Sequence, residues 1–270
     1  MTPQALFPTE VEAEDARSIR CSTGNPGSLR CFPPYALRVR AITPSADVRH
    51  AAFCAQCGGP PGTRDHVPPR AFLDKPLPAT LPVIGTCAPC NAGASLDEEY
   101  VTCLIEVAAC GSADPVHLER PRVSRALERN VALAARLQAA FDPATVAVAA
   151  EVDRVRRVIE KIARGLWAYE LAEPALGMSA VVAFQPLHVL DPATRAEFER
   201  VQQPAIFAEV GSRMMTRQAL AIGGEPKDAD LGWQIVQQGR FRYAVEFDTA
   251  DVVKLVVREY LVAKVRFARQ

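Results

Sequence analysis

Apolar residues recur at helical spacing through the middle of the chain and at strand spacing towards its end. In "SLDEEYVTCLIEVAACG", Leu96, Tyr100, Cys103, Leu104 and Val107 share one face, which predicts a helix stopped by Gly111. Ser95 is placed to cap it, with Glu98 three residues on as its capping-box partner. A second helical pattern runs from about Pro121 to Ala140, and a stronger one from Val152 through Val155, Ile159, Ile162 and Leu166 to about Leu171, stopped near Pro174. Trp167 and Tyr169 on that helix are expected in or at the edge of the core. Thereafter "SAVVAFQPL" reads as a strand, "ATRAEFERVQ" as a short helix, and "LGWQIVQQGRFRYAVEF" as a hairpin in which Phe241, Tyr243, Val245 and Phe247 alternate. "DVVKLVVREYLVAKVRF" is β-branched enough to prefer strand over helix.

The first 46 residues show no sustained periodicity. They hold scattered prolines and an acidic patch from Glu10 to Asp15, and they read as an irregular extension, in part even a gene-start artefact, since no Met follows Met1 until Met178. The chain therefore divides into an extension (1–46), a short turn-rich segment (47–112) and an α+β C-terminal domain (113–270) of unassigned role.

Composition adjusts this picture in three ways. With 49% hydrophobic residues in 270, the chain can bury a real core. No run of eighteen apolar residues and no apolar signal core appear, so neither a membrane span nor a membrane partner is expected and the default compartment is the cytoplasm. Lys plus Arg equals Asp plus Glu at 31 each, so the overall basic surplus of many nucleic-acid binders is missing and any phosphate contacts must be local. Two basic clusters, Arg120, Arg122, Arg125 and Arg129, then Arg154, Arg156, Arg157, Lys161 and Arg164, are able to track a backbone. Interleaved acidic residues favour reading them as solvated helix faces.

The eight cysteines are better suited to metal ligation or burial than to a disulfide framework. Cys21 and Cys31 stand alone and read as unpaired thiols; Cys103 and Cys110 fall on or near an apolar helix face and read as structural. "CAQC" (Cys54, Cys57) and "CAPC" (Cys87, Cys90) are different. Two Cys-x-x-Cys turns from separate elements supply the four thiolates of a closed tetrahedral zinc site. A redox pair would need only one of them, at a helix start.

Between the knuckles lie Asp65 and His66, and Asn91 follows Cys90 directly. The order Cys-x-x-Cys, Asp-His, Cys-x-x-Cys-Asn resembles that of HNH endonucleases of the ββα-metal, treble-clef type, close in layout to phage endonucleases that resolve branched DNA. The resemblance covers roughly residues 50–111. It implies a structural zinc on the four cysteines, His66 as general base, and Asp65 and Asn91 as ligands of a catalytic Mg²⁺ or Mn²⁺. It further implies metal-dependent phosphodiester hydrolysis, with DNA as the expected partner and a bacterial defence or mobile-element setting by analogy. The residue types suit that chemistry, since imidazole takes a proton near neutral pH and hard oxygen donors suit a hard cation. The third motif position has no obvious match: Ser95, Asp97, Glu98 and Glu99 are the candidates, Asp97 or Glu98 first. Cutting both strands with one site per chain would call for two events or a homodimer.

An isolated Asp-His pair is usually a turn residue beside a solvated histidine, and Asn91 alone would serve as a turn cap. His50, His117 and His188 read as structural or surface groups, and Arg70 as an exposed arginine within reach of a phosphate. The alternative function is a non-catalytic zinc module that binds nucleic acid or a protein, and a third is a nuclease effector switched on by the C-terminal domain. Neighbours on a regular strand point to opposite faces, so Asp65 and His66 can serve one site only where the strand stops. Pro68 and Pro69, without N–H groups, stop it there.

Overall fold

A small antiparallel hairpin follows the first cysteine turn. In the computed structural model, which describes residues 53–269 apart from 146, 224–230 and 249, strands β1 (Thr63–His66) and β2 (Val83–Thr86) pair with Asp65 opposite Ile84 and His66 opposite Val83. The readings for residues 1–46, Cys21, Cys31 and His50 lie outside the described residues. β1 ends at His66, where Val67, Pro68 and Pro69 take over, as the prolines require.

Helices α1 (Ala88–Ala92) and α2 (Ser95–Cys110) follow the hairpin. Gly111 closes α2 in the left-handed conformation (φ 64°) that favours glycine. The start of α2 departs from the sequence reading. Ala94 is the N-cap, Ser95 Oγ donates to the Ala92 carbonyl instead, and Glu98 turns away to Lys161. Leu96, expected on the buried face, is 74% exposed.

The expected helix over 121–140 is two, α3 (Pro121–Arg129) and α4 (Val131–Ala140). Asn130 breaks it: its side chain accepts from Leu133 N at 3.1 Å, offering the backbone a cap in place of a continued helix. A minimal ribbon, β3 (Phe141–Asp142) with β4 (Ala147–Val148), leads to α5 (Val152–Leu171). α5 buries Val155, Ile159, Ile162 and Leu166 as its periodicity predicts, with Trp167 and Tyr169 in the core. It stops at Ala172, which is left-handed (φ 58°) two residues before Pro174.

The C-terminal part is a five-stranded antiparallel sheet in the order β5-β9-β8-β7-β6. Its strands are β5 (Met178–Pro186), β6 (Gln234–Gln237), β7 (Phe241–Glu246), β8 (Val252–Val257) and β9 (Leu261–Arg269). Helices α6 (Pro192–Glu199) and α7 (Arg213–Ile222) lie between β5 and β6 in sequence. The segment read as one strand from Asp251 is a hairpin, β8 with β9. Its turn carries no glycine or asparagine, since Arg258 and Glu259 themselves take positive φ (55° and 46°). Left-handed backbone costs such residues about 1–2 kcal/mol each. Arg258 is held in place by ion pairs to Glu119 at 2.5 Å and Glu106 at 3.3 Å.

α5 packs on one face of the sheet, with Trp167 edge-on to Phe267 at 5.4 Å between centroids. Leu187, Val256 and Val262 with Leu190, Phe198 and Trp233 form a smaller cluster, which accounts for β8 being buried throughout. The main core runs without interruption from Val67, Phe72 and Ile84 near the hairpin through α2, α3 and α5 to Val265 and Phe267. No helix among the described residues is long and apolar enough to cross a membrane.

Candidate functional site

Cysteine turns and hairpin form one local unit. In the first turn Cys54 N donates to the Gly59 carbonyl at 2.7 Å and Gly58 N to the Cys54 carbonyl at 2.8 Å, with Gly58 left-handed (φ 75°). Ala55 N then donates to the Gly85 carbonyl at 3.0 Å, tying this turn to β2. The second turn is the start of α1: Cys87 is its N-cap, and Asn91 N donates to the Cys87 carbonyl at 3.0 Å.

The four sulfurs of Cys54, Cys57, Cys87 and Cys90 lie within 4.8 Å of one another, and Cys57 Sγ is 3.8 Å from Cys87 Sγ. A tetrahedron with metal–sulfur bonds of about 2.3 Å has edges of about 3.8 Å, so the donor set fits a zinc-sized ion. Burial pushes the Cys54 thiol up, but hydrogen bonds from the backbone of Cys87, Gln56 and Cys57 outweigh it and bring the group down to about 7. The Cys90 thiol is pushed up by burial and by the neighbouring sulfurs. One ready thiolate among crowded sulfurs suits a cluster that a cation would complete.

Beside this cluster lies a cleft of about 490 Å³ to which Asp65, His66, Asn91, Glu98 and Glu99 all contribute. The end of β1 places the first pair and α1 places Asn91. Asn91 Nδ2 donates to Thr63 Oγ1 at 3.1 Å and to the Arg64 carbonyl at 3.0 Å. A carbonyl can only accept, so this fixes the amide orientation and leaves Asn91 Oδ1 as the oxygen not held by β1. His66 is half-buried. Desolvation, then the charge of Arg70, lowers its pKa below 6.5 against the opposing pull of Asp65, so the ring is neutral at pH 7.

No protein-family model, characterised protein or solved structure matches this chain.

Its cleft must therefore be read from its own geometry, and the group that holds two of its carboxylates is one the sequence reading left on a solvated basic helix face but which is buried. Lys161, from α5, places Nζ 2.7 Å from Asp65 Oδ2 and 2.6 Å from Glu98 Oε1, with only 9% of its side chain exposed. Burial lowers the pKa of this amine, but the two carboxylates more than compensate and raise it above the usual lysine value. Glu98 is pushed up by burial and held back by Lys161. α5 reaches this depth because Gly165, one turn beyond Lys161, lets it press on the hairpin. A Cβ at that position would lie 2.8 Å from Val67 Cγ2 and 3.0 Å from Ile84 Cδ1. Gln56 Nε2 also donates to the Lys161 carbonyl at 3.0 Å, so the same turn of α5 touches the first cysteine loop.

The candidates for the third motif position separate cleanly. Asp97 faces α5, where its oxygens take Arg154 Nε at 2.6 Å and Arg157 Nε at 2.8 Å, and it is not available to the cleft. Glu98 is in the cleft but serves Lys161. Ser95 and Glu99 line it as well. Among the described residues the four cysteines are the only group of three or more Cys, His, Asp or Glu with ligand atoms gathered together. A second cation would thus rest on few protein donors, which is the habit of Mg²⁺ with its retained waters.

Of the other histidines, His117 and His188 are exposed, and His117 Nδ1 lies 3.9 Å from Asp114. Cys103 is buried, and Cys110 Sγ donates to Glu106 Oε1 at 3.5 Å. Lys161 was hard to foresee. It lies beside Ile162 in the apolar pattern of α5, and the small residue at i+4 is the only sequence hint that this face approaches another element closely.

Proposed function

We propose that the protein is a metal-dependent endonuclease of the HNH, ββα-metal type, hydrolysing phosphodiester bonds, with DNA as substrate and a structural zinc on Cys54, Cys57, Cys87 and Cys90. The observation that carries this reading is the convergence of Asp65, His66 and Asn91 on one cleft beside the four-sulfur cluster. His66, kept neutral by burial and by Arg70, accepts the proton of the attacking water. Asn91, its amide nitrogen locked on β1, presents Oδ1, and Asp65, one oxygen locked by Lys161, presents the other. These two oxygens would hold Mg²⁺ or Mn²⁺, which when bound supplies positive charge to the phosphate and the departing oxygen. Lys161 sets the direction of Asp65 from behind and ties down Glu98, the other carboxylate it reaches at the cleft.

One observation favours the rival reading of a non-catalytic zinc module that binds nucleic acid or a protein. Asp65, the sole carboxylate of the motif, is already paired with an ammonium.

A plasmid-nicking assay with Mg²⁺ or Mn²⁺ separates the two. The wild-type protein is expected to nick, and His66→Ala to keep its zinc and melting behaviour while losing about 10²–10⁴-fold in rate. Equal rates in both proteins would remove His66 from the chemistry. No nicking by the wild type with either ion would favour the binding module.

A further inference from the structure

Half of the arginines among the described residues are paired with acids. Arg120, Arg154, Arg157, Arg164, Arg240, Arg242 and Arg258 each hold a carboxylate at 2.5–2.9 Å. The cleft arginines belong to the other half. Arg64, Arg70, Arg122 and Arg129 line it, and none of the four is in an ion pair among the described residues. Arg122 Nη1 donates to the Arg70 carbonyl at 2.9 Å, which brings α3 against the turn that follows β1.

The division occurs within a single helix. Arg120, at the N-cap of α3, is buried and bound to Asp74 and to the carbonyls of Ala71 and Leu73. Arg125 folds back on the Pro121 carbonyl. Arg122 and Arg129, seven residues apart and hence on one face, are left for the cleft. Two of the cleft's carboxylates, Asp65 and Glu98, are already engaged by Lys161, which leaves Glu99 in the cleft lining and, behind it, Asp74, itself bound by Arg120 and Arg240, to oppose the four guanidinium groups. Crowding shows in Arg122, whose pKa is lowered by burial and then by Arg120 and Arg70. Unpaired cations held close together are costly unless an anion joins them.

Resting on the nuclease reading above, we propose that α3, outside the motif segment, is a wall of the substrate site. Arg122 and Arg129, with Arg64 and Arg70, grip the sugar–phosphate backbone of one nucleic-acid strand across His66. Seven residues of helix advance about 10.5 Å, against about 3.4 Å of duplex axis per phosphate of one strand, so the pair can reach two different phosphates of that strand. No Phe, Tyr or Trp among the described residues lines the cleft, which removes the stacking platform that single-strand binders use. Recognition is therefore through phosphates and independent of base sequence.

The test measures binding by fluorescence anisotropy on the full chain carrying His66→Ala, so that the probe survives. Probes are a short DNA duplex, the same sequence as single-stranded DNA, and the same as RNA, each at several salt concentrations. Arg122→Ala with Arg129→Ala is expected to weaken binding more than tenfold at low salt and to reduce the log–log salt slope by about two. Zinc content and melting should stay as in the parent. Arg195→Ala with Arg269→Ala removes equal charge from exposed positions outside the cleft and should change little. The wall is overturned if the cleft pair binds as the parent does, if the control pair weakens binding equally, or if a second duplex of the same length and scrambled sequence binds with a different affinity. Failure of this inference is distinct from failure of the nuclease. A wild type that nicks, with an Arg122/Arg129 variant that binds and nicks equally well, removes the wall alone. A parent that binds none of the probes, together with a wild type that does not nick, removes both.

Discussion

Two sites share one hairpin, and they are built in opposite ways. All four groups of the cysteine cluster come from two short turns, each shaped by its own backbone hydrogen bonds. The cleft takes Asp65 and His66 from β1, Asn91 from α1, Glu98 from α2, and depends on Lys161 from α5, more than sixty residues further along the chain. The first arrangement is set by local spacing, whereas the second exists only after the core has closed.

This contrast orders the expected effects of breaking each part. Cys87→Ser should be the most damaging change, because it removes a ligand and with it the closure of the first turn on α1. Structural zinc in small modules contributes on the order of 10 kcal/mol or more. Loss of zinc by metal analysis, with collapse of the melting transition, is the expected result; full zinc content and unchanged melting would rule out the four-thiolate site. Lys161→Met comes next. It leaves Asp65 and Glu98 as two buried carboxylates without their cation, a loss on the order of 3–5 kcal/mol. Urea unfolding should show the loss while zinc content stays full. Adding Asp65→Asn should recover part of it, and an additive double variant would mean that the pair does not interact.

The smallest effect is a matter of pH. His66 has a folded pKa below its ordinary 6.5, so its neutral form persists to more acid solution than that of a free imidazole. Proposed cleavage should therefore hold through pH 6.5 and decline only below it, and a bound cation, repelling the imidazolium, would move the limb further down. The same sign governs stability. As pH falls below 6.5 the unfolded chain takes up its proton first, so any contribution of His66 to folding is lost downward and not upward. An acid limb centred above 6.5 would contradict the burial and Arg70 effects together.

How much of this was legible follows from the same distinction. The cysteine turns, the end of β1 at the prolines, the α5 face and the Phe241–Phe247 alternation are each encoded within a few neighbouring residues, and the structure has them where the patterns put them. Asn130 and the Arg258–Glu259 turn were not legible. One helix break depends on a single side-chain cap, and the turn is stabilised by acids more than a hundred residues away. Ser95 and Glu98 match a capping box by spacing, but a carboxylate offered an ammonium at 2.6 Å forms the stronger, charge-assisted bond. Among the basic residues of the two helical clusters, the sequence could not tell Arg120, tied under Asp74, from Arg122, turned to the cleft.

Helix α5 is anchored at its middle and near its C-terminus by groups of opposite character. At mid-helix Lys161 and Gly165 fix it to the hairpin; near its C-terminus the fully buried Glu170 accepts from Tyr243 Oη and Arg217 Nη2 at 2.5 Å. Nine residues separate the two carriers of charge, about 13.5 Å of continuous helix with no proline to bend it. One continuous helix thus joins the buried Glu170–Tyr243 contact on the sheet to the ammonium that holds Asp65.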